Sequence, residues 1–291
     1  MSKIKAWLLE NRILIVIVVV SMVFSGTLTY LFFARSGSIS NTRVIYSLDQ
    51  RKNDQEIIQL IDSANEYVYF AVYYFTKKDI AEALIRAKKR GVAVEGITDR
   101  EGSQKSPNDD VTKMLRSAGI PLATQKHLDG IMHIKVLVTE KAYASGSYNW
   151  TQAATDANDE VLEIGTDEGI RSQYLKIIKK VLSSNMSENE KGTGKIQKLE
   201  IGEAPQHIGE YAEVRGMIEK NFTAASGTVF LDFCRSTAKC PFAAVIFASD
   251  AKKFKDVSSY KGDVTISGVI RSYKGKAEIV LNSPDQIIVN K

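Results

Sequence analysis

Histidine is scarce in this 291-residue chain: only His127, His133 and His207 occur. Such scarcity argues against a histidine-rich metal centre and leaves few candidates for any chemistry that needs imidazole. Cysteine is scarcer still. Cys234 and Cys240 cannot make a structural zinc site by themselves. They bracket the run RSTAK, and in an oxidising compartment they can close a small disulfide loop. Charge is nearly balanced, with 39 Lys and Arg against 34 Asp and Glu for a net +5. That value permits an anionic partner without demanding one. Apolar residues make up 44% and charged residues 25%, a composition of folded rather than disordered chains. The length allows one large domain or two ordinary ones.

Residues 13–33 contain no charge at all. As a helix rising ~1.5 Å per residue, this run spans roughly 30 Å, the thickness of a bilayer core. Signal peptides have a shorter apolar core and a small-residue cleavage site, neither of which is clear here. The run therefore predicts an uncleaved single-pass membrane anchor, with residues 1–35 as tail and span. Lys3, Lys5 and Arg12 precede it, and Arg35 and Arg43 follow. The slight excess on the N-terminal side favours an inner tail and an extracytoplasmic globular part over the reverse.

The pattern then turns α/β. RVIYSL, YVYFAVYYF, VAVEGITD, KVLVTE and a short run at 143–145 read as strands. Helical spacing marks DQEIIQLIDSA, KDIAEALIRAKKRG, DDVTKMLRSAG and YLKIIKKVLSS, with Gly91 stopping the second of these. Alternating strands and crossover helices predict a sheet flanked by helices over residues 42–184. A linker is expected over 185–209, where NMSENEKGTGK is its clearest part. Beyond it, over 210–291, the period is mostly two, with strands expected near 212–218, 229–233, 243–247, 264–273 and 278–281. Five short strands suggest a small, closed or nearly closed barrel, although a strand count does not separate that from a small sandwich.

The chemistry-bearing stretch runs from His133-Ile134-Lys135 to Gly146-Ser147-Tyr148-Asn149-Trp150. In an extended segment His133 and Lys135 share one side of the strand. Lys135 would supply a compact positive charge, Asn149 an amide donor and Ser147 a hydroxyl for phosphoryl oxygens. His133 could attack phosphorus or exchange a proton. A carboxylate is needed to fix its tautomer, and Glu160 in NDEVLEI is the nearest candidate. The bland alternative stays open at this point: a histidine beside a strand is often structural, and Lys135 could simply form a salt bridge.

The spacing resembles the phospholipase D superfamily, whose pattern is H-x-K, four residues, Asp, a short spacer, then G-S-x-N. His133, Lys135, Gly146, Ser147 and Asn149 fall on it, and Trp150 and Thr151 extend the likeness to nuclease-like members. Glu160 matches the family's downstream acid, and the likeness spans about residues 43–183. Two departures occur: Glu140 stands where the family has aspartate, and the spacer to Gly146 is one residue short. In the family that acid chiefly supports the loop and the fold. No second H-x-K occurs in the chain, so the resemblance implies a homodimer that completes one site from two copies of His133. It also implies a phosphohistidine intermediate and no metal or other cofactor. His127 reads as a loop residue.

Residues 211–290 resemble the OB-fold domains appended to bacterial nucleases, on GTVFLDF, AAVIFASDAKKF and VTISGVIRSYKGKAEIVLNSPDQI. Independently, Phe230, Phe233, Phe247 and Tyr273 interleave with Lys252, Lys253, Lys255, Arg271, Lys274 and Lys276. Aromatic platforms with basic neighbours hold single strands, but several of these phenylalanines also alternate as core residues would. The leading expectation is a metal-independent, membrane-tethered endonuclease acting on DNA first and RNA second. The alternatives are a phospholipase D acting on membrane phospholipids and a non-catalytic, membrane-anchored nucleic-acid-binding factor.

Overall fold

The computed structural model describes residues 20–27, 41–101, 110–126, 129–187, 190, 195–235 and 240–290. The chain divides into two compact units, Met1–Asn41 and Thr42–Lys291. In the first, residues 20–27 are helical. Among the described residues no helix is long and apolar enough to cross a membrane. The expectation of a single-pass anchor over 13–33, and with it an extracytoplasmic globular part, is corrected on that ground. The rest of that span lies outside the described residues.

The second unit opens with a seven-stranded sheet in the order β1-β7-β6-β5-β2-β3-β4. Its strands are β1 (Thr42–Tyr46), β2 (Tyr67–Val72), β3 (Ala93–Thr98), β4 (Leu122–Thr124), β5 (Lys135–Thr139), β6 (Tyr143–Gly146) and β7 (Val161–Gly165). β2, β3 and β4 run parallel because helices carry the chain back between them. From β5 onward, short connections make every pairing antiparallel. β2 and β5 are buried on both faces. Val68, Phe70 and Leu137 join the core under helices Asn53–Ser63, Lys78–Lys89 and Asp110–Ser117. Ala71, Val136 and Val138 pack beneath helix Glu168–Asn185 through Ile178 and Leu182. Helix Lys78–Lys89 ends where Gly91 takes φ +91°, a left-handed conformation that costs glycine little.

The C-terminal half departs from the expected single barrel of five strands. Nine strands are described there, in two sheets around a shared core. One sheet has the order β10-β11-β12-β15-β14: Lys220–Thr223, Val229–Asp232, Phe242–Ile246, Lys276–Val280 and Arg271–Tyr273. The other has β16-β13-β9-β8: Ile287–Val289, Gly262–Val269, Tyr211–Ile218 and Gln197–Glu200. The run expected as one strand over 264–273 breaks at Ile270. Its N–H donates to the Glu210 carbonyl at 2.9 Å and its carbonyl accepts from Gly209 at 2.8 Å, so the chain leaves one sheet there and joins the other. Part of the expected linker is ordered as well, because β8 pairs in parallel with β9. The two halves are tied together: Tyr211 and Val269 enter the first core, the Tyr211 N–H donates to Ser117 Oγ at 2.7 Å, and Arg271 lies 3.7 Å from Glu82.

Candidate active site

Sheet order brings the chemical groups to one edge. Val72, the last residue of β2, is paired with Lys135, the first of β5. The end of β6 lies beside the start of β7, with Gly146 opposite Leu162. The last residues of β2, β3 and β6 and the first of β5 and β7 therefore share this edge. His133, Lys135, Ser147, Asn149 and Glu160 all sit on it.

His133 is exposed, and it lies just before the strand rather than on it. Its ring sits 4.9 Å from the Tyr73 ring. Lys135 is only 6% exposed. Its ammonium donates to the His133 carbonyl at 3.1 Å and stands 5.0 Å over the Tyr73 ring. Burial pushes the Lys135 pKa down, and the Glu160 carboxylate partly opposes that shift. Asn149 Oδ1 accepts from the Tyr74 N–H at 3.2 Å, which fixes the orientation of the amide. Ser147 Oγ donates to Glu160 Oε2 at 2.5 Å, and Asn158 Nδ2 donates to Glu160 Oε1 at 3.3 Å. The expected carboxylate support of the imidazole is thus directed to Ser147 within one chain.

The supporting residues have local explanations. Gly146 takes φ +151°, and a Cβ there would meet the Val161 carbonyl oxygen at 2.0 Å, so only glycine lets the turn close. Trp150 is buried and meets Phe75 edge-to-face with ring centroids 4.7 Å apart, while its carbonyl accepts from Thr76 and Lys77 at 2.9 and 3.0 Å. Thr151 caps helix Gln152–Asp156 by accepting from the Ala154 N–H. Glu140 lies at the other end of β5. Its carboxylate accepts from the backbone N–H groups of Asn65 and Glu66 at 2.9 and 3.4 Å. Burial raises its pKa, but those backbone donors outweigh it and hold the group below the ordinary carboxylate value.

Residues 57–182 match the family model described as cardiolipin synthase, PLD-like domain. Residues 57–182 are thus a PLD-like domain. A phospholipase D of Rickettsia conorii is 33% identical over 123 residues, covering 41% of this chain and 59% of that protein. A mitochondrial cardiolipin hydrolase of Xenopus tropicalis is 32% identical over 124 residues, 40% of this chain and 55% of its own length. The chain thus spans little more than half of these curated relatives. Among solved structures, Nuc from Salmonella typhimurium, a phospholipase D family member, superposes with TM-score 0.47 at 28% identity over 50% of this chain and 96% of its own. NucT from Helicobacter pylori gives 0.48 at 26% identity, over 51% and 99%.

In the phospholipase D-like domain three contributors escaped the sequence reading. The Tyr73 ring is in contact with both His133 and Lys135, and its hydrogen bond with Tyr74 is the largest cause of a pKa raised to about 12. Asp99, 1% exposed, accepts from the Met132 N–H at 2.7 Å and so anchors the segment that delivers His133. Ser47 Oγ accepts from the Glu160 N–H at 2.9 Å. The signals were an aromatic pair just past a strand and an acid at a strand end. His127 lies outside the described residues.

The basic residues expected to bind nucleic acid do not form one cluster of like partners. Lys253 pairs with Asp250 at 2.6 Å and Arg271 with Glu82. Lys274 stands 5.3 Å over Tyr273. Lys252 and Lys255 are exposed, and Lys276 begins β15 opposite Tyr273. Of the four aromatics, Phe233 is core, Phe230 is half-buried, and Phe247 and Tyr273 are exposed. Phe222, not singled out from sequence, is 50% exposed and stacks on Phe230 at 6.5 Å with Lys220 above it. Cys234 and Cys240 form a disulfide with their Cα atoms 5.5 Å apart.

Proposed function

We propose that the chain is a metal-independent phosphodiesterase, an endonuclease on DNA or RNA, that works as a homodimer. The observation that carries this reading is the convergence of His133, Lys135, Ser147, Asn149 and Glu160 on one sheet edge, with a single such set in the chain. An imidazole nitrogen of His133 attacks phosphorus and the bond to the leaving oxygen breaks, forming a phosphohistidine. His133 of a second copy gives its proton to that oxygen, then takes one from the water that hydrolyses the intermediate. Lys135 and Asn149 stabilise the phosphoryl oxygens from both copies.

An exposed apolar face supports the dimer. Val44, Tyr46 and Val161 are 66%, 40% and 45% exposed, and Tyr46 lies directly opposite Val161. They share one face beside Glu160, and a two-fold contact there would be self-complementary. For substrate, the aromatic and lysine pairs of the C-terminal half, Lys220 with Phe222 and Lys274 with Tyr273, favour nucleic acid. The names of the curated relatives favour a second reading, hydrolysis of a phospholipid. The test assays the full chain on plasmid, single-stranded oligonucleotide and cardiolipin or phosphatidylcholine vesicles, each with and without EDTA. EDTA-resistant cleavage of nucleic acid, of the single-stranded oligonucleotide at least, is the expected result. Turnover of lipid alone would overturn the nuclease assignment.

A further inference from the structure

A cleft of about 540 Å³ opens where helix Lys78–Lys89 and the Gln152 turn meet the C-terminal half, within the size range of ligand sites. Its one aromatic wall is Phe247, 47% exposed. Six charged side chains line it, the cations Lys77, Lys78 and Arg271 against the anions Asp79, Glu82 and Asp250, so the lining has no net charge. Lys77 lies 3.1 Å from Asp79, Arg271 3.7 Å from Glu82, and Asp250 2.6 Å from Lys253. A phosphate gains nothing from such a lining, and an acyl chain would meet polar walls. The chemistry that fits is a flat, uncharged ring with polar edges, received by the Phe247 face and by the side-chain amides of Gln152 and Asn282.

The cleft is tied to the proposed catalytic edge. Gln152 is three residues beyond Asn149, so their Cα atoms are at most about 11 Å apart. Trp150, between them, holds the backbone of Thr76 and Lys77 in the cleft wall. We infer that this cleft is a nucleobase subsite, in which Phe247 stacks on the base next to the phosphate held at His133. The inference rests on the nuclease reading and extends it: a base must leave its duplex to enter, so the C-terminal half selects unpaired strands.

The test compares the full chain with Phe247→Ala and Phe247→Trp on a single-stranded oligonucleotide and on the same strand made abasic beside the cleaved phosphate, which offers no ring there. For Phe247→Ala the ratio of kcat/KM, intact over abasic strand, should fall about five- to a hundredfold, through KM on the intact strand, the range of one lost base stack. Phe247→Trp should restore it. Cleavage of the abasic strand should be insensitive to both substitutions. A ratio that does not move, because both strands are unaffected or both fall equally, overturns the subsite. If the native chain cleaves lipid and no nucleic acid, the nuclease reading fails. Fluorescence anisotropy of a labelled oligonucleotide then decides separately: binding weakened by Phe247→Ala keeps the base site, and equal or absent binding removes it.

Discussion

The two ends of β5 each carry an ionisable side chain, and the surroundings treat them in opposite ways. At the start, His133 is exposed with a tyrosine ring against it, and the segment before it is pinned by Asp99. At the far end, Glu140 is occupied by backbone N–H groups of the turn before β2. Seven residues of extended chain put about 23 Å between them. The contrast explains why the departure from the family's aspartate falls where it does. A longer carboxylate at position 140 still reaches the donors of a turn, and it acts on the fold rather than on phosphorus.

The largest effect expected at the reactive end is from His133→Ala, which should lower kcat/KM on any phosphodiester by at least about 10⁴-fold, the scale of nucleophile removal. Its circular dichroism and melting curve should match the native chain. Native-like turnover by the purified variant would remove the contrast between the ends altogether. Next comes Lys135→Ala, with a loss of about 10²–10³-fold in kcat, as for removing one group that stabilises developing charge. Because burial lowers the Lys135 pKa, the native pH–rate profile should fall on the alkaline side below the ordinary lysine value of 10.5. In Lys135→Arg, whatever activity survives should persist through that window, since guanidinium stays charged there.

A smaller loss sharpens the comparison. Asp99→Ala leaves the buried Met132 N–H without its acceptor, at a cost of about 1–3 kcal/mol, so both melting temperature and kcat should drop, the latter on the order of tenfold to a hundredfold. An unchanged kcat would show that His133 needs no such anchor. At the structural end, Glu140→Ala should cost about 1–3 kcal/mol of stability and change melting more than turnover. The Glu140 pKa is depressed in the folded chain. Its contribution is therefore present above the unfolded value and lost as pH falls through the folded one. Glu140→Gln should accordingly flatten the acid loss of stability below about pH 4.5 relative to the native chain. If Glu140→Ala instead abolished turnover at full stability, the two ends would not differ in kind.

Much of this was legible from residues. The apolar run in KVLVT, the glycine stop at Gly91 and the spacing from His133 to Asn149 are local signals, and local physics decides them. The sheet order is not local: β2 pairs with β5 across the two strands between them, so nothing near Tyr73 announces that it will lie under Lys135. Tyr73 reads as one more aromatic strand residue. Residues 13–33 point the other way: an uncharged run of bilayer length is what a span requires, yet among the described residues no helix is long and apolar enough to cross a membrane. In the C-terminal half the alternation located strands, but the hydrogen bonds of Ile270 that divide one strand between two sheets come from Gly209 and Glu210, about 60 residues earlier.

The pairing of β1 with β7 has a consequence for how the chain is made. Thr42 lies opposite Gly165, so the strand synthesised first must wait for about 120 further residues before its neighbour exists. At ordinary elongation rates that is roughly 6–24 s. Meanwhile Val44 and Tyr46 sit on an unpaired edge, the kind of surface that recruits other nascent chains. β5, β6 and β7 can form their meander as they emerge, since hairpins close in microseconds. Docking of the early strand is then the event that carries Ser47 onto Glu160. A ribosome-bound chain released before that docking would hold His133, Lys135 and Asn149 and still lack the hydrogen bonds that fix the Glu160 backbone.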